Sequence, residues 1–490
     1  MVLESVGDLV LNEILSILGP KETAKVSCVS KQLKASASED SLWSKFCSQD
    51  LDLSAPLDHQ GNHIPSFKFA YGLWREAFGM YPWPLVIRVK RCWDRLKNWL
   101  NANFPEAGAT LQQGASEAQI QQFELVLKVK LPLPTRILYR FCDGQVFKDK
   151  DAPKSAFGNT LGLIGGYSFY NHLVNVYLLP LHQIILQTLR VTRQLRTSGG
   201  CRRTKLIVVA SSSAINEKLF FLNCTTGQLY VGTRNLPTDG EMMPCVPDAL
   251  IRSVHDLNSD QQQDAMLLWL EEHGRRLQDG IIKLREEGNM RTICQFPEEP
   301  PLCSTAVTNG VKVRASAIFV PEAADLQDSF EKYCFTYSIR LSLLPEGCII
   351  NGMYFSSCQL LQRHWIIRAN GNVIEDVAGE AVIGKVHLYS QADATSNCIF
   401  LKFLPMMKIS TFRLLSQPGS SHNVPEITEY PLLHPAEEEF VYESSVSLPD
   451  APGSIEGSFT FVPNRLVDPK GAPFEVEVAR FPLQVPDYIF

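Results

Sequence analysis

The sequence predicts a multidomain α+β protein with a helical N-terminal segment, a central α/β domain and a C-terminal antiparallel β-sandwich. Three observations carry this reading. Apolar residues recur at three- and four-residue spacing through the first fifty residues. Helical and strand-like patterns then alternate as far as about residue 284. Beyond residue 303 the apolar period falls to two, the signature of strands with one dry face. A chain of 490 residues has room for about three domains, each with its own core.

At the N-terminus, Leu9, Val10, Ile14, Ile17 and Leu18 mark one helix face, and Gly19-Pro20 stops that helix. Val26, Val29 and Leu33 mark a second helical pattern. Leu42, Trp43, Phe46 and Cys47 mark a third, with start signals in residues 38–41. Three helices this small leave apolar surface to be covered by the rest of the chain or by a partner. Residues 54–65 read as a loop. His59 and His63 there have helix-ligand spacing, but Gly61 lies between them and no third ligand comes after, so no metal site is expected. Phe67, Tyr71, Trp74 and Phe78 form an aromatic stripe expected to pack the first helices onto the central part of the chain.

A new unit is expected from Arg88. Trp93, Leu96, Trp99 and Leu100 mark one helix, and Ile120, Phe123 and Leu127 a second opened by residues 114–117. Ile137, Leu138 and Phe141 mark a third after the Leu131-Pro132-Leu133-Pro134 break. Strands are expected at 174–181, 206–210 and 219–222, and a closing helix at 260–278. Ser259 and Gln262 are read as that helix's capping box, with Glu271 and Glu272 set to pair with Arg275 and Arg276. Residues 285–302, with three prolines and several acids, read as a linker. After it, alternation at 311–319 and 335–343, at Phe440 and Tyr442, at Phe459 and Phe461, and at 474–478 argues the sandwich.

Composition excludes several function classes. A net charge of −6 gives no basic face for nucleic acid. The one basic cluster, from Arg190 to Lys205, lacks interleaved aromatics and reads as a solvated loop. Thirteen cysteines without a Cys-x-x-Cys pair imply reduced thiols, neither a disulfide framework nor a zinc site. No secretory signal and no membrane span is expected, which points to an intracellular, soluble protein of the cytoplasm or nucleus. The Gly-x-Ser-x-Gly elbow, the Walker loop, His-Glu-x-x-His and the Rossmann fingerprint are all missing, so no catalytic, cofactor-binding or metal residue is assigned and no enzyme is expected. His364, within Arg363-His364-Trp365, is expected to be a packing neighbour rather than a catalyst.

The helix–stop–helix order, Val29-Ser30-Lys31 and the closing Leu42-Trp43 with Cys47 resemble an F-box, the motif that docks onto a Skp-type adaptor. One departure is that Val6-Gly7 stands where F-boxes open with Leu-Pro. The resemblance implies an adaptor contact through Leu9, Ile14, Leu18, Val26, Val29, Leu42 and Trp43, and through the adaptor a cullin and a RING subunit. Phe123-Glu124, Leu131-Pro132 and Asp143-Gly144-Gln145 resemble the SUKH superfamily. Thr308-Asn309-Gly310-Val311, Tyr337-Ser338-Ile339-Arg340, residues 359–367, 379–384, 453–461 and 474–482 resemble in order the ApaG domain, an immunoglobulin- or fibronectin-like sandwich. Bacterial ApaG has a Gly-x-Gly-x-x-Gly at the fourth of these places; Ala381 replaces its middle glycine here, and nucleotide binding is not expected.

Together the motifs resemble plant Skp-interacting F-box proteins built from F-box, SUKH-like and ApaG domains, with an animal F-box counterpart. The implied division is F-box 1–50, helical connector 51–87, SUKH-like domain 88–284, linker 285–302 and ApaG domain 303–490. Residues 386–429 interrupt the ApaG pattern and are expected to be a poorly ordered insertion, a retained intron or mispredicted exon. The implied function is substrate recognition for a Skp–cullin–F-box ubiquitin ligase acting on an unknown protein. The alternative is a binding regulator whose ApaG domain senses a small ligand or metal, with a vestigial F-box.

Overall fold

The computed structural model describes residues 7–146, 160–169, 172–197, 205–212, 218–259, 261–287, 290–383 and 428–490. It is a multidomain α+β protein with a helical N-terminal part, a mixed α/β centre and C-terminal antiparallel sheets.

Helix α1 (Asp8–Val26) is two helices joined at a kink, because Gly19 takes φ 78° and Pro20 opens a new turn. Helices α2 (Lys31–Ser36) and α3 (Asp40–Leu51) come next, and the Ser30 hydroxyl caps α2 by accepting the Leu33 N–H at 3.2 Å. The aromatic stripe lies on α4 (Phe67–Phe78), where Tyr71, Trp74 and Phe78 are buried. Tyr71 meets the edge of Trp43 at 5.4 Å, and Phe78 stacks on Phe141 at 4.7 Å. This row therefore joins the first helices to the centre, as its spacing predicts. His59 packs its ring edge-on to Trp74 and Phe78.

The centre begins ahead of Arg88, at Trp83, where Pro84 suits the first turn of α5 (Trp83–Asn103). A short α6 (Pro105–Gly108) leads to α7 (Glu117–Leu127), opened by a full Ser116–Gln119 capping box, and to α8 (Leu133–Phe141). The remaining helices are α9 (Leu181–Thr197), the short α10 (Leu236–Asp239) and α11 (Ala265–Gln278).

They pack with an eight-stranded sheet whose order is β6-β5-β4-β3-β2-β1-β8-β7. Its strands are β1 (Gly165–Phe169), β2 (His172–Leu178), β3 (Leu206–Ser212), β4 (Leu219–Asn223), β5 (Leu229–Gly232), β6 (Met242–Pro244), β7 (Lys283–Glu287) and β8 (Met290–Cys294). Among the described residues of this sheet, only the β1–β8 pairing is parallel.

Three sequence expectations are corrected here. The first half of the supposed linker is strand, since β7 and β8 pair and extend the sheet. Its buried side, with Ile293, Cys294 and Phe296, is short and easily masked by acids and by prolines confined to 297–301. The closing helix starts at Ala265, not 260. Its cap is Asp264, whose buried carboxylate accepts from Leu267 N–H at 2.9 Å and from the Thr135 hydroxyl at 2.6 Å. Glu271 turns away from its own helix to hold Arg88 on α5 in a two-pronged ion pair, while Glu272 takes Arg275 and Arg276.

The C-terminal part is two packed antiparallel sheets. One is β19-β11-β10-β9, from β9 (Cys303–Thr308), β10 (Val311–Phe319), β11 (Tyr333–Leu343) and β19 (Phe440–Leu448). After a small hairpin, β12 (Cys348–Ile350) and β13 (Met353–Phe355), come β14 (Cys358–Ala369) and β15 (Asn372–Glu380) of the second sheet. Two-residue strands β16 (Val382–Ile383) and β17 (Thr428–Glu429) pair antiparallel, so the chain leaves and returns at one place. The expected insertion, 386–429, lies almost wholly outside the described residues. The short β18 (Leu432–Leu433) pairs with β14, and β20 (Gly453–Arg465) pairs with β14, with β21 (Asp468–Pro469) and with β22 (Phe474–Leu483). Trp365, Phe459 and Tyr337 meet edge-on between the sheets.

The sandwich is bolted to the centre. Glu298 accepts from Arg285 on β7 and from Arg314 and Arg340 on β10 and β11. The chain end crosses back, with Trp269 donating to Ile489 O at 2.7 Å and Phe490 stacking on Trp269. His273 of α11 is fully buried beside Phe490, and its Nε2 bonds Leu163 O at 2.8 Å.

Burial holds the His273 imidazole neutral, with its pKa lowered to about 4. An unfolded chain protonates the same ring near pH 6.5, so its proton uptake exceeds that of the fold between these values. Stability is therefore complete above about pH 6.5 and falls as pH drops toward 4, by about 3 kcal/mol from this group. Urea titrations of wild type and His273→Gln across that window check it; the variant loses this part of the slope.

Candidate adaptor-binding face

The N-terminal helices divide their apolar residues sharply between inside and outside. Leu11 and Leu15 of α1 are fully buried, with Leu33, Phe46 and Cys47 from the next two helices. The Thr23 hydroxyl donates to Leu15 O at 2.9 Å, closing the kink, and Asn12 donates to Glu39 at 2.6 Å to hold α1 against the start of α3. Beside the buried pair runs a second apolar stripe that the core does not use. Val10, Ile14, Ile17 and Leu18 stand at i, i+4, i+7 and i+8, so they share one side of the helix. Ile17 is 79% exposed, Val10 and Leu18 are exposed, and Ile14 is half-buried. Leu9, 88% exposed, and Val29, 72% exposed in the turn before α2, add to the uncovered apolar surface of this part. Such a spacing is that of a helix meeting an apolar groove.

The residues expected to touch an adaptor thus fall into two groups. Leu9, Leu18 and Val29 are exposed, and Ile14 and Val26 are half-buried. Leu42 and Trp43 are instead buried, at 3% and 4% exposure, inside the core. Trp43 donates from Nε1 to Ala37 O at 2.8 Å and meets Phe46 edge-on at 5.5 Å, with the Lys68 ammonium over its ring. The helical spacing of Leu42 and Trp43 marks an apolar face but not what covers it, and α4 covers it. Val10 and Ile17 are absent from the expected contacts, although their spacing from Ile14 is readable in the sequence.

Gly7, the departure from Leu-Pro, is the residue before α1. It takes φ −60°, and a Cβ there meets no atom within 4 Å. Proline holds nearly that φ, so Gly7→Pro should add about 0.4–1 kcal/mol by restricting the unfolded chain. Thermal melting of the two proteins measures it.

Among the described residues there is no group of three or more His, Cys, Asp or Glu able to hold a metal. His364 bonds Asp376 at 2.6 Å on an exposed strand surface, while Trp365 beside it faces the core. Ala381 takes φ 55°, a left-handed conformation that favours glycine, and its carbonyl accepts from Arg363 at 2.6 Å. No helix of the described residues is long and apolar enough to cross a membrane.

Residues 4–45 match the F-box domain and residues 323–393 the ApaG domain. The molecule is an F-box protein carrying an ApaG domain. The chain is 55% identical to the F-box protein SKIP16 of Arabidopsis thaliana over 490 residues, covering 100% of each, and so belongs to that family of F-box proteins. It is 24% identical to F-box only protein 3 of Homo sapiens over 80% of this chain and 74% of the relative. It is also 28% identical to protein ApaG of Dechloromonas aromatica, over 26% of this chain and 91% of the relative.

Proposed function

We propose that this chain is the substrate-recognition subunit of a Skp–cullin–F-box ubiquitin ligase. In this reading it directs ubiquitination, and proteasomal degradation, of a target protein. The observation that carries it is the stripe of exposed Val10, Ile17 and Leu18 with half-buried Ile14, within the segment that matches the F-box domain. Fully burying one such aliphatic side chain contributes about 1.5–3 kcal/mol, so a groove covering the stripe has a large apolar term available. The names of the relatives support the same reading. The chain then contributes no bond-making group of its own. It holds a substrate near the assembled ligase, an effect of proximity and orientation. The central α/β part and the ApaG sandwich are the substrate-facing domains, and the compartment is the cytoplasm, the nucleus or both.

The test is reconstitution. Full-length protein is mixed with a purified Skp-type adaptor and passed over a sizing column, then supplied with cullin and RING subunit. Co-elution, and recruitment of the cullin through the adaptor, is the expected result. Separate elution at micromolar concentrations overturns the reading.

A further inference from the structure

A cleft of about 430 Å³ opens between α5 and α11, at the place where the end of α3 and the chain's last residues also converge. It lies apart from the adaptor stripe. Arg88, Arg91 and Arg95 of α5 line it at i, i+3 and i+7, one side of that helix. Opposite them stand Arg275, Glu271 and Glu272 of α11, with Tyr488 at the mouth. The lining side chains of the α5 and α11 walls, four arginines against two glutamates, sum to +2, and Asp52 and Asp279 pair with two of those arginines from beside the cleft.

The arginines are not equivalent. Arg88 is held by Glu271, and its Nη1 donates to Gln263 at 3.0 Å. Arg275 is held by Glu272 and Asp279, and Arg276 shares Glu272. These two walls are therefore fixed in place. Arg91 reaches Asp52 at 3.0 Å, in a pair more than half exposed on both sides, which contributes little and leaves the charge available. The Arg95 side chain is exposed and runs past Gly274, where a Cβ would come within 3.1 Å of its Cδ. Among the described residues its guanidinium has no ion-pair partner. Arg91 and Arg95 are a like-charge pair at i, i+4, a spacing that destabilises a helix unless an anion sits between them.

Arginine forks recognise phosphate and carboxylate with two parallel hydrogen bonds each. The volume is larger than a lone ion needs and falls in the range of pockets that enclose an organic ligand group. Pro84, Cys92 and Leu268 provide apolar wall for such a backbone.

We infer that this cleft binds an anionic side chain of an extended peptide, a phosphate or paired carboxylates, in the protein recruited as substrate. This rests on the ligase reading for the peptide's role, not for its binding. Arg95 and Arg91 clamp the anion, and the paired Arg88 and Arg275 set the field around it.

The test uses full-length protein and pools of degenerate nonapeptides whose centre is serine, phosphoserine or Glu-Glu. Capture of an anionic pool should exceed capture of the serine pool at least about tenfold. Arg95→Glu should erase the difference, Arg95→Gln should reduce it, and raised salt should weaken it. Phosphoserine winning alone assigns phosphate chemistry, and equal capture of both anionic pools assigns the charge itself. Equal capture of all three pools, or capture that survives Arg95→Glu in a protein with an unchanged melting curve, overturns the inference. So does displacement of bound peptide by equimolar inorganic phosphate, or preference for mixed-sequence single-stranded RNA. Co-elution of the same variants with the adaptor is scored in parallel. Peptide capture without adaptor binding leaves this cleft standing and removes the ligase reading.

Discussion

Replacing Ile17 by aspartate is expected to lower affinity for a Skp-type adaptor by about a hundredfold, roughly 2.7 kcal/mol, while the chain itself folds as before. The reasoning starts from exposure. Ile17 is 79% exposed, so the fold gains little from it and a surface substitution there shifts stability by about 0.5 kcal/mol or less. In a complex the same position becomes desolvated among Val10, Ile14 and Leu18, and a carboxylate must then lose its water without a partner. Calorimetry of adaptor binding, paired with a melting curve of the free chain, reads both quantities. Unaltered affinity would move the contact off this stripe.

The opposite result is expected for Trp43→Ala. Trp43 is 4% exposed, packed edge-on against Phe46 and Tyr71, and bonded to Ala37 O. Emptying a tryptophan site in a core costs about 3–5 kcal/mol, comparable with the whole stability of many domains. Adaptor binding should fail in this variant because the N-terminal helices loosen, and denaturant titration should show the transition moving or splitting. Trp43→Phe keeps a ring in place and should recover most of both. If Trp43→Ala instead binds poorly with an unmoved transition, the residue contacts the adaptor directly and its burial is not maintained in the complex. The two variants together separate loss of contact from loss of fold.

The expected contact set mixes these two kinds of residue for a physical reason. Amphipathic spacing states that residues share a face. It does not state whether that face meets another part of the same chain or another protein. Leu42 and Trp43 have the same helical signature as Ile14 and Leu18. What distinguishes them is α4, whose aromatic row, Phe67 to Phe78, arrives from well beyond them in the chain. Likewise Ser259 and Gln262 satisfy the letter of a capping box, yet Asp264 wins because Thr135, far away in sequence, donates both its N–H and its hydroxyl to the same carboxylate.

By itself, the sequence determined the three-part organisation, the break at Gly19-Pro20, the joining role of the aromatic row, the long strands of the sandwich, and the F-box and ApaG memberships. Each of these is written in local periodicity, in turn residues, or in motifs kept in order. Only the tertiary structure decided which apolar residues of the first fifty stay exposed. It also decided that the first half of the supposed linker joins the central sheet as strands, that Glu271 reaches across to Arg88, and that the chain end returns to pack on Trp269. These outcomes depend on surfaces meeting over long sequence separations, where burial and charge pairing outweigh local preference.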